Sequence, residues 1–210
     1  MSHYDDEAQV AELKKWWREN RLPLIAGLVL GLGGIVGWEG WQTHQARRAE
    51  QASQMFEDLK RAAQSGDSAQ AQSLTRSLKA DYARTPYAVH AALLAAQRSA
   101  SELDWDAAQK QLDWAVANAT DEGLKQLARL RQARVLWQTG KADEALARIP
   151  ADLKDSPFAS LYEELRGDIK SGQGDRDGAR AAYEKALTGV DGAQREFLQR
   201  KLDDLAPAVS

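Results

Sequence analysis

The chain has 210 residues, with 28 Lys and Arg against 31 Asp and Glu, a formal net charge of −3 and no cysteine. This balance offers no basic excess for nucleic acid, and the missing thiols exclude disulfides, Cys-based metal sites and thiolate nucleophiles. With five prolines, frequent alanine and no long alternation of β-branched residues, the predicted class is all-α.

Residues 1–21 form a short charged segment, and residues 22–38 (LPLIAGLVLGLGGIVGW) then carry no charge at all. A helix over that run covers about 25 Å, and carrying it on to Trp41 reaches roughly the 30 Å of a hydrocarbon core. Trp16 and Trp17 precede it and Trp38 and Trp41 follow, where amphipathic rings settle at the two membrane interfaces. The predicted element is a transmembrane helix over 22–42; a buried core helix would show a polar face over so many residues. Lys14, Lys15, Arg18 and Arg21 on the N-terminal side outweigh Arg47 and Arg48 beyond it, so residues 1–21 are expected in the cytoplasm. The stretch Gly37-Trp38-Glu39-Gly40-Trp41 has no small-x-small cleavage site, which makes the run an uncleaved signal anchor with residues 43–210 across the membrane, a single-pass type II arrangement. Gly27, Gly31, Gly33 and Gly37 form two Gly-x-x-x-Gly pairs on different faces. They read either as contacts for a second helix or as small residues that membrane helices tolerate.

Residues 43–61 are rich in Gln, Glu and Arg and read as an outward stalk of the same helix. Beyond them, turn signals at residues 65–67, 85–86, 102–104, 119–122, 140–141, 150–157, 172–175 and 189–192 divide the chain into short helices. Ala133, Gly140, Ala145 and Ile149 recur as Gly167, Gly174, Ala179 and Tyr183, each 34 residues later. Stepping back by 37, Ala133, Ala145 and Ile149 fall on Ala96, Ala108 and Leu112, and Ala108 falls on Ala71. The predicted architecture is therefore an α-solenoid of about four helix pairs, in which small residues mark close crossings and the large residue four positions on fills the gap. Residues 193–205 (AQREFLQRKLDDL) supply a capping helix with Phe197, Leu198, Lys201, Leu202 and Leu205 at helical spacing, and residues 206–210 are an expected frayed tail.

The pattern resembles the tetratricopeptide repeat family, best in the third repeat, where Ala133, Leu136, Gly140, Ala145 and Ile149 take the small, aliphatic, turn, small and large positions and Pro157 closes it. The fourth has Lys170 at a usually aromatic position, and the first has Thr75 at the large one. In such an array the first helix of each pair lines a concave groove. The inward positions are Leu127, Leu130, Arg134, Trp137 and Gln138 in the third repeat, and His90, Leu93 and Gln97 in the second. Aromatic and Arg side chains are the usual anchors of interfaces, which singles out Trp137 and Arg134, although Trp137 equally suits packing between helices. Leu93, Leu130 and Glu164 stand where carboxylate-clamp repeats have Lys and Asn, which argues against such a clamp.

Catalytic signals are few. His3, His44 and His90 are too far apart for a helical metal site, no phosphate loop or nucleophile elbow occurs, and no cofactor is expected. The clusters Asp5-Asp6-Glu7, Asp104 with Asp106, and Asp203-Asp204 read as helix ends and turns.

Several local strings resemble the YfgM-like ancillary subunits of the bacterial SecYEG translocon. They are Glu12-Leu13-Lys14-Lys15-Trp16-Trp17-Arg18-Glu19-Asn20, Gly31-Leu32-Gly33-Gly34 and Gly37-Trp38 with Trp41 and His44-Gln45, then Leu130-Arg131-Gln132-Ala133-Arg134-Val135 and Gly140-Lys141-Ala142-Asp143. The resemblance implies a single-span protein of the bacterial inner membrane whose repeats lie in the periplasm. It implies a non-enzymatic adaptor linking the SecYEG translocon to a PpiD-like periplasmic chaperone, with exported nascent chains as further clients. A different function, a scaffold or stress-regulatory protein of the envelope not bound to the translocon, fits the same anchor and repeats.

Overall fold

The computed structural model describes the backbone of residues 3–205; the side chains of residues 3–9, 11, 12, 23, 24, 26 and 29 lie outside the described set, as does the tail 206–210. Nine helices follow in order among the described residues: α1 (His3–Gln64), α2 (Ser68–Asp81), α3 (Pro86–Ser101), α4 (Trp105–Asn118), α5 (Glu122–Gln138), α6 (Ala142–Arg148), α7 (Ala159–Gly172), α8 (Arg176–Ala186) and α9 (Gly192–Asp203). The chain forms two compact units, Met1–Glu50 and Gln51–Ser210.

In the first unit, the uncharged run is helical throughout. Leu22, Ile25, Leu28, Leu30, Leu32, Ile35 and Val36 are all exposed. Among the described residues no helix is long and apolar enough to cross a membrane. Positions 23, 24, 26 and 29 of the run are among the side chains outside the described set, as is the acidic cluster Asp5-Asp6-Glu7.

The second unit is the helical array. The expected stalk over residues 43–61 is corrected in its second half: Ala52, Leu59 and Ala62 are buried with Ala71 and Leu78, so residues 51–64 serve as the first helix of the first pair. The remaining pairs are α3 with α4, α5 with α6, and α7 with α8.

One turn joins the helices of every pair. Gly66, Leu103, Gly140 and Gly174 occupy the same place with φ of 76°, 61°, 78° and 81°. The next residue in each case donates its N–H back across the turn at 2.9 Å, Asp67 to Ala62, Asp104 to Ser99, Lys141 to Leu136 and Asp175 to Lys170. This left-handed closure satisfies carbonyls that a helix end leaves open. It flows directly into the next helix, because the carboxylates of Asp67, Asp104 and Asp175 accept from the N–H of Gln70, Ala107 and Gly178. Such caps are worth about 1 kcal/mol each.

Side-chain size does the rest. Ala71, Ala108, Ala145 and Ala179 are buried at the helix crossings, and Leu112, Ile149 and Tyr183 fill the space four residues on. In the fourth pair the Tyr183 ring packs closely on Gly167, where a Cβ would come within 2.9 Å of Cζ. Thr75 holds the large position in the first pair and turns its hydroxyl back to the Ala71 carbonyl at 2.8 Å. Beside it a cleft of about 780 Å³ opens between the end of α1 and α2, α3 and α4, lined by Leu59, Ala71, Thr75, Lys79, Leu94 and Gln111.

At the other end α9 closes the stack, burying Leu198, Leu202 and Leu205 against Ala179, Tyr183 and Ala186. Its Lys201 reaches α7, with Nζ 2.8 Å from Glu164 and 2.7 Å from Asp168. Asp168 also accepts the Tyr183 hydroxyl at 2.7 Å. Burial and that carboxylate push the Tyr183 phenol well above its ordinary range.

Candidate protein-binding surface

The expected inward positions lie on α3 and α5, and α3 meets both α1 and α5 through the side chains of Phe56 and Arg131. Phe56, Tyr87 and His90 are half-buried and meet as rings, with Phe56 centred 6.1 Å from Tyr87 and 5.8 Å from His90. Arg131 of α5 donates from Nη1 to the Leu93 carbonyl of α3 at 3.3 Å. This tie places a guanidinium beside His90, whose imidazole is held below the usual range by burial and by Arg131. Burial and the neighbouring Arg134 in turn lower Arg131.

The predicted groove residues divide by exposure. Arg134, Gln138 and Gln97 are exposed, while His90 and Leu127 are half-buried. Leu93 and Leu130 are core residues at 3% and 1% exposure, backing the wall rather than facing a ligand. Trp137 is packed against the cluster of Leu130, Ala133, Leu136 and Tyr162, in keeping with a helix-packing residue. Its Nε1 lies 3.8 Å from where a Cβ on Gly172 would stand. Arg131, Phe56 and Tyr87 join the surface without having been selected as inward positions. The legible signal was charge: α5 carries Lys125, Arg129, Arg131 and Arg134 against the single acid Glu122, and α3 carries no acid.

In the first unit, a Cβ on Gly27, Gly31, Gly33 or Gly37 would meet nothing within 4 Å. Trp16, Trp17, Trp38 and Trp41 are about half exposed, and the rings of Trp38 and Trp41 are centred 5.3 Å apart.

Paired helices with recurring turns, small crossing residues and a capping helix define a helical-repeat protein of the tetratricopeptide class, and residues 14–207 match the family model of a tetratricopeptide repeat-like domain. Similar proteins extend over nearly the whole length. One from Escherichia coli is 33% identical over 98% of this chain and 100% of its own, and one from Haemophilus influenzae is 32% identical over 96% and 98%. A third, from Neisseria gonorrhoeae, is 28% identical over 97% and 99%. All three are named ancillary SecYEG translocon subunit. The chain belongs to the ancillary SecYEG translocon subunit (YfgM) family. No solved structure gives a significant match.

Proposed function

We propose that this chain is a non-enzymatic, membrane-anchored adaptor of the SecYEG translocon, with the helical array as its protein-binding part. Full-length similarity to ancillary SecYEG translocon subunits carries the reading. Residues 1–21 lie in the cytoplasm, residues 22–42 span the inner membrane, and residues 43–210 are periplasmic. The span is supported by the exposed apolar side chains around α1, including Leu22, Leu28, Leu30, Leu32, Ile35 and Val36. Leaving such area in water forfeits about 25 cal/mol per Å² that a hydrocarbon core returns. The tryptophans at either end suit the two interfaces. The basic residues on the N-terminal side support the orientation. The array holds a PpiD-like chaperone or an exported nascent chain beside the translocon.

Two experiments test this. Photocrosslinking probes at Gly27, Gly33, Gln97 and Arg134 are expected to capture translocon and chaperone subunits; uniform failure would leave the chain an envelope scaffold instead. Protease added to spheroplasts is expected to digest the C-terminal domain, and digestion only after lysis reverses the topology.

A further inference from the structure

Four arginines along the array meet an acid nearby in sequence. Arg61 meets Asp58, Arg98 meets Glu102 at 2.9 Å, Arg129 faces Glu122 at 3.8 Å and Arg166 lies 3.3 Å from Glu163. Arg131 and Arg134, like Arg76, Arg148 and Arg180, form no ion pair among the described residues; what sets this pair apart is that Arg131 is half-buried against α3. They stand one turn apart on α5. Arg131 is half-buried and gives its hydrogen bond to the Leu93 carbonyl, and Arg134 is exposed. Like charges at this spacing destabilise a helix by a few tenths of a kcal/mol, and partial burial of a guanidinium adds to that cost. Burial first, and Arg134 second, lower Arg131 accordingly. His90, next to Arg131, belongs to an apolar shelf in which Phe56 packs against Tyr87 and His90.

We propose that Arg131 and Arg134 bind a carboxylate side chain of an acidic partner segment, whose neighbouring large apolar residue rests on the shelf of Phe56 and Tyr87. This rests on the adaptor reading and names the chemistry of the segment its groove accepts. Charge complementarity selects the occupant. Neither guanidinium forms an ion pair among the described residues, α3 supplies no acid, and a planar fork suits a carboxylate. A face that joins paired cations to aromatic rings reads an acid and a large side chain together, which a bare cation patch would not. His90 stays neutral at pH 7, since burial and Arg131 both oppose its charging. It therefore serves as part of the shelf.

The test uses the full chain in nanodiscs and three fluorescent nonapeptides: one with two aspartates flanking a phenylalanine, its Asn counterpart, and its Ala-for-Phe counterpart. The expected result is binding of the first at least about tenfold tighter than either counterpart, with Arg134→Gln and Arg131→Gln each weakening it about tenfold or more. Arg129→Gln, which removes a group that faces Glu122, is expected to change nothing, and circular dichroism confirms that each variant stays folded. Equal binding of all three peptides, no binding of the first at millimolar peptide, or full competition by 10 mM inorganic phosphate overturns the proposal. Co-purification with the translocon is scored separately, so an adaptor that docks but ignores acidic peptides is distinguishable from one that does neither.

Discussion

Replacing Gly167 with alanine is the sharpest test of how the fourth helix pair is packed. The new Cβ would lie 2.5 Å from Cδ1 and 2.9 Å from Cζ of Tyr183, and nearer still to Cε1. Ordinary carbon contacts are about 3.5–4.0 Å, so the ring must retreat by roughly 1 Å. It is not free to do so. Its hydroxyl is bound to Asp168 Oδ1 at 2.7 Å, and the same oxygen is held by Lys201 Nζ at 2.7 Å. Overpacking of this kind costs about 1–3 kcal/mol, and a rigid ring belongs at the upper end; the better helix propensity of alanine offsets about 1 kcal/mol. The net loss is about 2 kcal/mol, which for a domain of this size lowers Tm by about 4–8 °C. Gly172→Ala is the control, because its Cβ meets nothing nearer than Trp137 Nε1 at 3.8 Å. Thermal melts of the full chain in detergent, followed by circular dichroism, measure both. If Gly167→Ala melts within 1 °C of the parent, or above it as the control is free to do, the close approach of Tyr183 to α7 is not what holds this pair together.

Leu103→Gly is expected to raise stability by about 0.5–1 kcal/mol in urea titrations, since a left-handed leucine is strained and this one packs against little. A loss would mean that the exposed side chain makes a contact worth more than the strain. Tyr162 is fully buried with its hydroxyl 2.6 Å from the Gln126 carbonyl, and burial pushes the phenol up to about 12. Tyr162→Phe removes that bond and should cost about 0.5–1.5 kcal/mol in the same titration. His90 titrates below 6.5 in the folded chain because of burial and Arg131, so on acidification the unfolded chain takes up the proton first. Its contribution is present above about pH 6.5 and lost as pH falls below it. Tm should therefore drop between pH 7.5 and 5.5, and His90→Gln should shrink that drop; an unchanged drop assigns it to other groups.

Much of the array was legible because its repeat is written in residue size. Ala145 and Ala179, with Ile149 and Tyr183, are equivalent in sequence and in packing, and residues 193–205 announced the capping helix through their apolar spacing. The second turn was harder to see, because Leu103 adopts a backbone conformation that three of the four turns give to glycine. The first helix of the first pair was hidden for a different reason. Residues 51–64 bury only small or scattered apolar side chains, Ala52, Leu59 and Ala62, within a charged run. For the candidate site, spacing alone marked Leu93 and Leu130 as inward. Helical periodicity gives a direction but not a depth, and both sit one layer too deep. Arg131 escaped notice because its partner is a backbone carbonyl 38 residues away, a contact with no residue-type signature.

The reach of Lys201 from the last helix to α7 also settles what the end of the array can be used for. By clamping Glu164 and Asp168 while Leu198 and Leu202 cover the fourth pair, α9 turns an open stacking surface into a terminus. A further pair, or a second copy adding itself head to tail, would have to break a three-residue ionic latch and re-expose a leucine seam. Filament growth at this end is thereby blocked, and partners are left with the flanks and the inner face.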